Sequence, residues 1–198
     1  MIAGIVLAAG RSARMGFPKA LLDFRGAPFV VRILEALEAI DLKHRVVVLG
    51  PDAPRIRPAL AAHDCLIVEN PDVDSGPVAS LKAGLLALQT VRPKAVVAWP
   101  VDFPHVRITT VERLIEAHER SGAPVVVPVF GGRRGHPVLW DQALFPELEA
   151  SPATARAVLH AHERDVVQVA VDDPAVVDDL NTPEDYERLV RGINRDAY

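Results

Sequence analysis

Residues 2–19 constrain this chain more than any other stretch. The run Ile2-Ala3-Gly4-Ile5-Val6-Leu7-Ala8-Ala9 is wholly apolar and breaks at Gly10 into Arg11-Ser12-Ala13-Arg14-Met15-Gly16-Phe17-Pro18-Lys19. Such a run, with no polar alternation, is the pattern of a strand buried on both faces in a parallel sheet. In the loop that follows, Gly10 and Gly16 are expected to adopt conformations closed to other residues and so to turn backbone amides toward an anion, while Arg11, Arg14 and Lys19 add positive charge. Two familiar glycine loops are excluded. Five residues separate Gly10 from Gly16 and Phe-Pro follows, where a Walker loop has four and then Lys-Ser/Thr. The dinucleotide pattern G-x-G-x-x-G fails at Ser12, where its second glycine belongs.

The composition is that of an ordinary globule. A length of 198 residues fits one domain, 1–198, able to bury a core without cross-links, and 49% hydrophobic with 24% charged residues is unexceptional. A formal charge of −4 argues against a nucleic-acid groove as the main surface. Cys65 stands alone, which excludes an internal disulfide and a multi-cysteine zinc site and suits a reducing compartment. No basic leader precedes the first strand, and no apolar stretch reaches the roughly 18 residues of a membrane span, so a cytoplasmic location with no membrane partner is expected.

Along the chain, apolar runs alternate with helical periodicities. Strands are predicted at Val46–Leu49, Cys65–Val68, Ala95–Val101, Val125–Val129 and Val166–Val171. Helices are predicted from Pro28 to about Ile40, Pro51 to Ala62, Val78 to about Thr90, around Val111 to His118, Asp141 to Glu149, Ala153 to Glu163 across a Ser151-Pro152 joint, and after Thr182-Pro183-Glu184-Asp185, which reads as a capping box. Residues 21–26 read as a turn. The segment 131–140, with Gly131-Gly132 at its head and Pro137-Val138-Leu139-Trp140 returning, is predicted to be a small β excursion. The alternation predicts a three-layer, doubly wound, mostly parallel α/β sheet.

In such sheets ligands lie beyond the carboxyl ends of the strands. The Gly10–Lys19 loop is one such place. Asn70-Pro71 with Ser75-Gly76-Pro77 and Ser80 is another: the segment could offer amides and hydroxyls to a base or ribose, or serve as a turn and helix cap. Asp102 stands at the tip of a buried strand, where a hard cation such as Mg²⁺ would be anchored or where the carboxylate would cap the turn before Pro104. Arg133 and Arg134 among glycines suit a mobile arm for a second, phosphorylated substrate, or an exposed hairpin tip. His136 between Gly135 and Pro137 would orient a substrate group or satisfy that turn. The other histidines share no metal-ligand spacing and are read as structural or solvent-facing.

These residues carry a resemblance. Leu7-Ala8-Ala9-Gly10-x-Ser12-x-Arg14-Met15-Gly16-x-x-Lys19 resembles the nucleotide-binding motif of the nucleoside-triphosphate transferases that include the molybdenum cofactor cytidylyltransferases and guanylyltransferases. Asn70…Gly76 with Ser80-Leu81-x-x-Gly84-Leu85 looks like the family's second motif, Asp102-x-Pro104 like its metal-binding element, and Gly135-His136-Pro137 like the segment facing the acceptor. Asp179-Leu180-Asn181-Thr182-Pro183-Glu184-Asp185 departs from the family's Asp-Ile-Asp-Thr-Pro-Glu-Asp at Asn181, whose amide oxygen can ligate a hard cation without adding charge; Asp179 could substitute. The resemblance implies a Rossmann-like nucleotidyltransferase that uses Mg²⁺ to move a nucleotide from a triphosphate to an acceptor phosphate, with Lys19 and Arg14 neutralising the triphosphate and Asp102 holding the metal. The Ala8-Ala9-Gly10 triplet is typical of the cytidylyl members, which implies CTP as donor; with Gly135-His136-Pro137 the resemblance implies molybdopterin as acceptor and a molybdoenzyme as client. A GTP-dependent or sugar-phosphate transferase, or a catalytically silent nucleotide-binding accessory protein, are the other readings.

Overall fold

The computed structural model describes residues 1–72, 76–150 and 154–196. It contains strand β1 (Ile2–Ala8), hairpin β2 (Asp23–Phe24) and β3 (Ala27–Pro28), then α1 (Phe29–Ala39), β4 (Arg45–Leu49), α2 (Ala53–Leu60), β5 (Leu66–Glu69), α3 (Pro77–Ala87), β6 (Ala95–Pro100) and α4 (Ile108–Ser121). The second half has β7 (Val125–Phe130), β8 (Arg133–Arg134), β9 (Val138–Asp141), α5 (Phe145–Ala150), α6 (Ala155–Ala161), β10 (Val166–Ala170) and α7 (Pro183–Asp196). Expectations placed on Ser75, Ser151, Pro152 and Ala153 lie outside the described residues.

The central sheet runs in the order β5-β4-β1-β6-β9-β7-β10, with β8 paired to β7. β1, β4, β5 and β6 are mutually parallel, and β7 and β10 share their direction because β9 runs antiparallel to both β6 and β7. The predicted excursion is therefore only in part an excursion: β8 is a short extension of β7, but β9 is a full member of the sheet. Its sequence permits this, since Val138 and Trp140 bury into one core and Leu139 into the other.

The strands alternate between the two cores. Ile2, Val6 and Ala8 of β1 pack with α1, α2 and α4, whereas Ala3 and Ile5 pack with α3, α5 and α6. Both helical layers sit close on β1 because a glycine lies at each contact: a Cβ at Gly84 of α3 would lie 2.6 Å from Ile5 of β1, and one at Gly4 of β1 would lie 2.7 Å from Leu37 of α1. The segment 21–26 is more than a turn. Arg25 and Gly26 have φ of 55° and 86°, the positive values a two-residue hairpin requires. Pro28 precedes α1 as its N-cap instead of entering the first turn.

The chain leaves β1 for β4 and β5 on one side, then crosses to β6 on the other. β1 and β6 are thus neighbours whose connections depart in opposite directions, and their carboxyl ends bound the crevice in which such sheets bind ligands.

Candidate active site

The loop after β1 is shaped by hydrogen bonds more than by glycine. Ser12 adopts φ of 48°, its carbonyl accepts from the Met15 amide at 2.9 Å, and its Oγ accepts from the Lys19 amide at 2.9 Å. Gly16, with φ of 66°, has the left-handed conformation anticipated for it, but Gly10 does not: the second turn residue with positive φ is Ser12. A short polar side chain that can bond its own loop tolerates this conformation, which is why a serine serves here. Ser12 thereby fixes where Lys19 emerges.

At the end of β6 the chain is held by Trp99. Its fully buried indole N–H donates to the Phe103 carbonyl at 2.9 Å and so constrains the residues between, including Asp102. The segment before α7 is laced onto the same place. The Leu180 amide donates to the Asp102 carbonyl at 3.1 Å, and the His136 amide donates to the Val176 carbonyl at 2.8 Å. The capping box is formed: Asp185 accepts from the Asn181 and Thr182 amides and Thr182 Oγ1 accepts from the Asp185 amide. The Arg188 guanidinium, which donates to Asp185, and then these bonds hold the pKa of the Asp185 carboxyl down at about 2.

The result is a cavity of about 450 Å³, the size of a small-molecule site. Leu7, Ala8, Ala9, Gly10, Ser12 and Lys19 form one wall; Gly76, Pro77 and Ser80 at the start of α3 form a second; Asp102, Phe103, His136 and Asp179 form a third. Asn70 stands behind the second wall, its Nδ2 donating to Ser80 Oγ at 3.1 Å. Gly135 and Pro137 flank His136, joined to it by a cis bond at Pro137.

Lys19 is the electrostatic centre. Its Nζ donates to Asn181 Oδ1 at 2.9 Å and lies 3.9 Å from Asp102 Oδ2. Asn181 Nδ2 in turn donates to Asp179. Burial holds the Lys19 pKa below its ordinary value despite Asp102, and burial pushes Asp102 up despite Lys19. Burial also holds the His136 imidazole below its usual range; its Nδ1 is buried without a hydrogen-bond partner and its ring packs against Phe103 at 4.9 Å. Asp102, Asp179 and the Asn181 amide oxygen are hard donors of the kind a small divalent cation takes. Among the described residues no group of three or more His, Cys, Asp or Glu side chains could hold a metal, so phosphate and water oxygens would have to complete the shell.

Not every anticipated residue reaches the cavity. Arg14 and Gly16 are exposed and do not line it, although Arg14 acts on Lys19 through its charge. Arg133 is exposed, and Arg134 makes a two-pronged pair with Glu163, its nitrogens donating at 2.8 and 2.6 Å. A pinned Arg134 is not the freely mobile arm expected from its glycine neighbours. Conversely, Asp52, Ile56, Trp140 and Ala155 line the cavity without having been singled out. Asp52 follows β4, so the strand-end rule points to it; Trp140 could be found only once β9 was known to enter the sheet. Of the histidines read as structural or solvent-facing, His118 is buried and His105 half-buried. His118 Nε2 pairs with Asp141 Oδ2 at 2.8 Å, and His105 lies 3.5 Å from Asp178.

The chain has counterparts among known proteins. The profile of the family described as the MobA-like NTP transferase domain matches residues 4–175. The chain is 32% identical over 204 residues to nicotine blue oxidoreductase of Paenarthrobacter nicotinovorans, with 96% of each covered. It is 29% identical over 198 residues to molybdenum cofactor guanylyltransferase of Rhodobacter capsulatus, covering 99% of this chain and 98% of that protein. Rv0371c of Mycobacterium tuberculosis superposes with a TM-score of 0.83 at 29% identity, over 96% of this chain and 97% of that one. A complex of Rv0371c with manganese gives 0.78 at 28% identity, over 96% and 98%.

Proposed function

The chain belongs to the MobA-like NTP transferase family, and from that membership we propose that it moves CMP from CTP to the terminal phosphate of molybdopterin. The observation that carries the proposal is the meeting of Lys19 and Asp102 beneath the loop after β1. An acceptor phosphate oxygen forms a bond to the α-phosphorus as the bond from that phosphorus to the bridging oxygen breaks, and pyrophosphate leaves with the electron pair. Transfer of this kind asks for positioning and charge stabilisation, with no covalent participation by the protein.

In this reading the loop amides and Lys19 hold the triphosphate, and Arg14 contributes long-range charge. Gly76 and Ser80, braced by Asn70, face the nucleoside. Asp102, with Asp179 or the Asn181 oxygen, would hold Mg²⁺, which supplies Lewis-acid polarisation of the phosphates. That a structural neighbour, Rv0371c, forms a complex with manganese supports a divalent ion as cofactor. His136, buried and neutral beside Asp102, would meet the acceptor, and Arg133 at the hairpin tip would approach its outer end. The client would be a molybdoenzyme.

Two features favour transfer over the oxidoreductase chemistry that one relative's name carries: the paired lysine and carboxylate, and the absence of the dinucleotide glycine pattern. The choice of CTP rests on Ala9, which is buried and lines the cavity where a glycine would leave more room. Pyrophosphate release measured with molybdopterin and either CTP or GTP tests it. The expected result is a preference for CTP that weakens in Ala9→Gly. A wild-type preference for GTP overturns the cytidylyl assignment, and no release with any triphosphate and phosphorylated acceptor overturns the transferase.

A further inference from the structure

Two of the oxygen atoms that a metal in this cavity would use lie against the Lys19 ammonium. Asn181 Oδ1 accepts a hydrogen bond from Lys19 Nζ at 2.9 Å, and Asp102 Oδ2 lies 3.9 Å from the same nitrogen. The ammonium stands between the two groups that would otherwise face a cation. Its side chain is only 12% exposed, so it has little freedom to leave for solvent. We propose that in the nucleotide-free protein the Lys19 ammonium itself serves as the cation of this site, and that a divalent metal is admitted only together with a triphosphate that draws Lys19 away.

Charge and ligand count both lead there. An ion placed on Asp102 beside Lys19 would sit within a few ångströms of a fixed positive charge in a partly desolvated site, where repulsion is poorly screened. Among the described residues no group of three or more His, Cys, Asp or Glu side chains could complete a metal shell. A triphosphate changes both quantities at once. It brings several negative charges and several hard oxygens, giving the ammonium a better partner than the neutral Asn181 amide and giving the metal the ligands that the chain lacks. Asn181 is then the residue that parks Lys19, a role for which a neutral acceptor is well suited because it holds the ammonium without binding it as tightly as a second carboxylate would.

The inference rests on the triphosphate-binding part of the reading above, and its test is independent of turnover. Mn²⁺ serves as a spin probe in titrations of the full chain without nucleotide, followed by the loss of the free-ion electron paramagnetic resonance signal. Wild type is expected to bind Mn²⁺ weakly. Lys19→Gln and Lys19→Met are expected to bind it at least about tenfold more tightly, a fraction of the repulsion between neighbouring charges in such a site. Lys19→Arg, which keeps the charge, stays near wild type, and Asp102→Asn added to Lys19→Gln abolishes the gain. Circular dichroism melts establish that each variant is folded, with Met and Gln serving as independent neutral replacements. Unchanged or weaker Mn²⁺ binding in both neutral variants overturns the inference. So does an equal gain in Lys19→Arg, or a gain that survives loss of Asp102. If wild type releases pyrophosphate while the neutral variants gain nothing, the inference falls and the transferase stands; if the gain appears without any turnover, the reverse holds.

Discussion

Lys19 and Asn181 lie 162 positions apart in sequence, yet the lysine ammonium donates to the asparagine oxygen at 2.9 Å. The last loop of the chain thereby closes over the first, and Lys19 is oriented by a residue that no local reading of its own loop could supply. The Leu180 amide, bonded to the Asp102 carbonyl, brings the β6 end into the same knot. Three segments distant in sequence share one electrostatic site.

Removing either charged member of that site should abolish most of the activity without unfolding the protein. Asp102→Asn and Lys19→Met are each expected to lower kcat for pyrophosphate release at least about 100-fold, the scale of losing one preorganised charge at a reacting phosphate. Thermal melts should change little by comparison, because the Lys19–Asp102 pair is loose at 3.9 Å and both groups are held against the cost of burial. A variant that keeps more than a tenth of wild-type kcat would remove its residue from the chemistry.

Gly135 and Gly10 should respond oppositely to alanine. A Cβ at Gly135 would lie 2.1 Å from the Val176 carbonyl oxygen, the atom that accepts from the His136 amide, whereas nothing lies within 4 Å of one at Gly10. Backbone cannot yield as a side-chain tip does, so Gly135→Ala is expected to cost about 1–3 kcal/mol. That lowers Tm by several degrees, at about 2–4 °C per kcal/mol for a chain of this size, and displaces His136, raising the acceptor KM. Gly10→Ala should melt close to wild type. Equal melting temperatures for the two variants would contradict the packing described for Gly135.

Acid should destabilise the fold through His105. Burial holds its pKa below the ordinary 6.5 in spite of Asp178. The unfolded chain therefore takes up a proton at a pH where the folded chain still resists it. Stability is fully present above 6.5 and falls as the pH drops below that value, levelling off once the folded form also protonates. Half-buried Asp102 has the opposite sign, since its raised pKa favours proton uptake by the folded state over a window that starts at the ordinary 3.8. Melts between pH 7 and 5 should show a decline that is shallower in His105→Gln; identical slopes would assign the decline to other groups.

The two arginines of the β8 hairpin should separate. Arg134 is committed to Glu163 and lies off the cavity, so Arg134→Ala is expected to leave the acceptor KM unchanged. Exposed Arg133 is the one able to reach a phosphorylated acceptor, and Arg133→Ala is expected to raise that KM severalfold at constant kcat, the signature of lost binding shared by ground and transition states. The reverse order would place the acceptor on the Glu163 side of the hairpin.

Much of this arrangement is legible in sequence because it is local. Apolar runs such as Ala3–Ala8 and Val125–Val127 can be satisfied only by burial on both faces, which makes the sheet parallel and layered. The capping box at Thr182 and Asp185 needs only neighbours three residues apart, and it formed as written. The strand-end rule located Lys19, Ser80, Asp102 and His136 on one cavity, because in a doubly wound sheet all those ends share an edge.

What the tertiary structure alone decided is pairing at long range. β9 could have returned beside β7 as a hairpin; it pairs with β6 as well, since Val138, Leu139 and Trp140 must bury both faces, and this is what brings Trp140 to the cavity. Arg134 met Glu163, and Asn181 met Lys19. Periodicity records which face of an element is apolar, and so determines layers and strand ends. It carries no information about which polar atoms from remote segments will meet, because that depends on packing geometry settled only when the whole chain has collapsed.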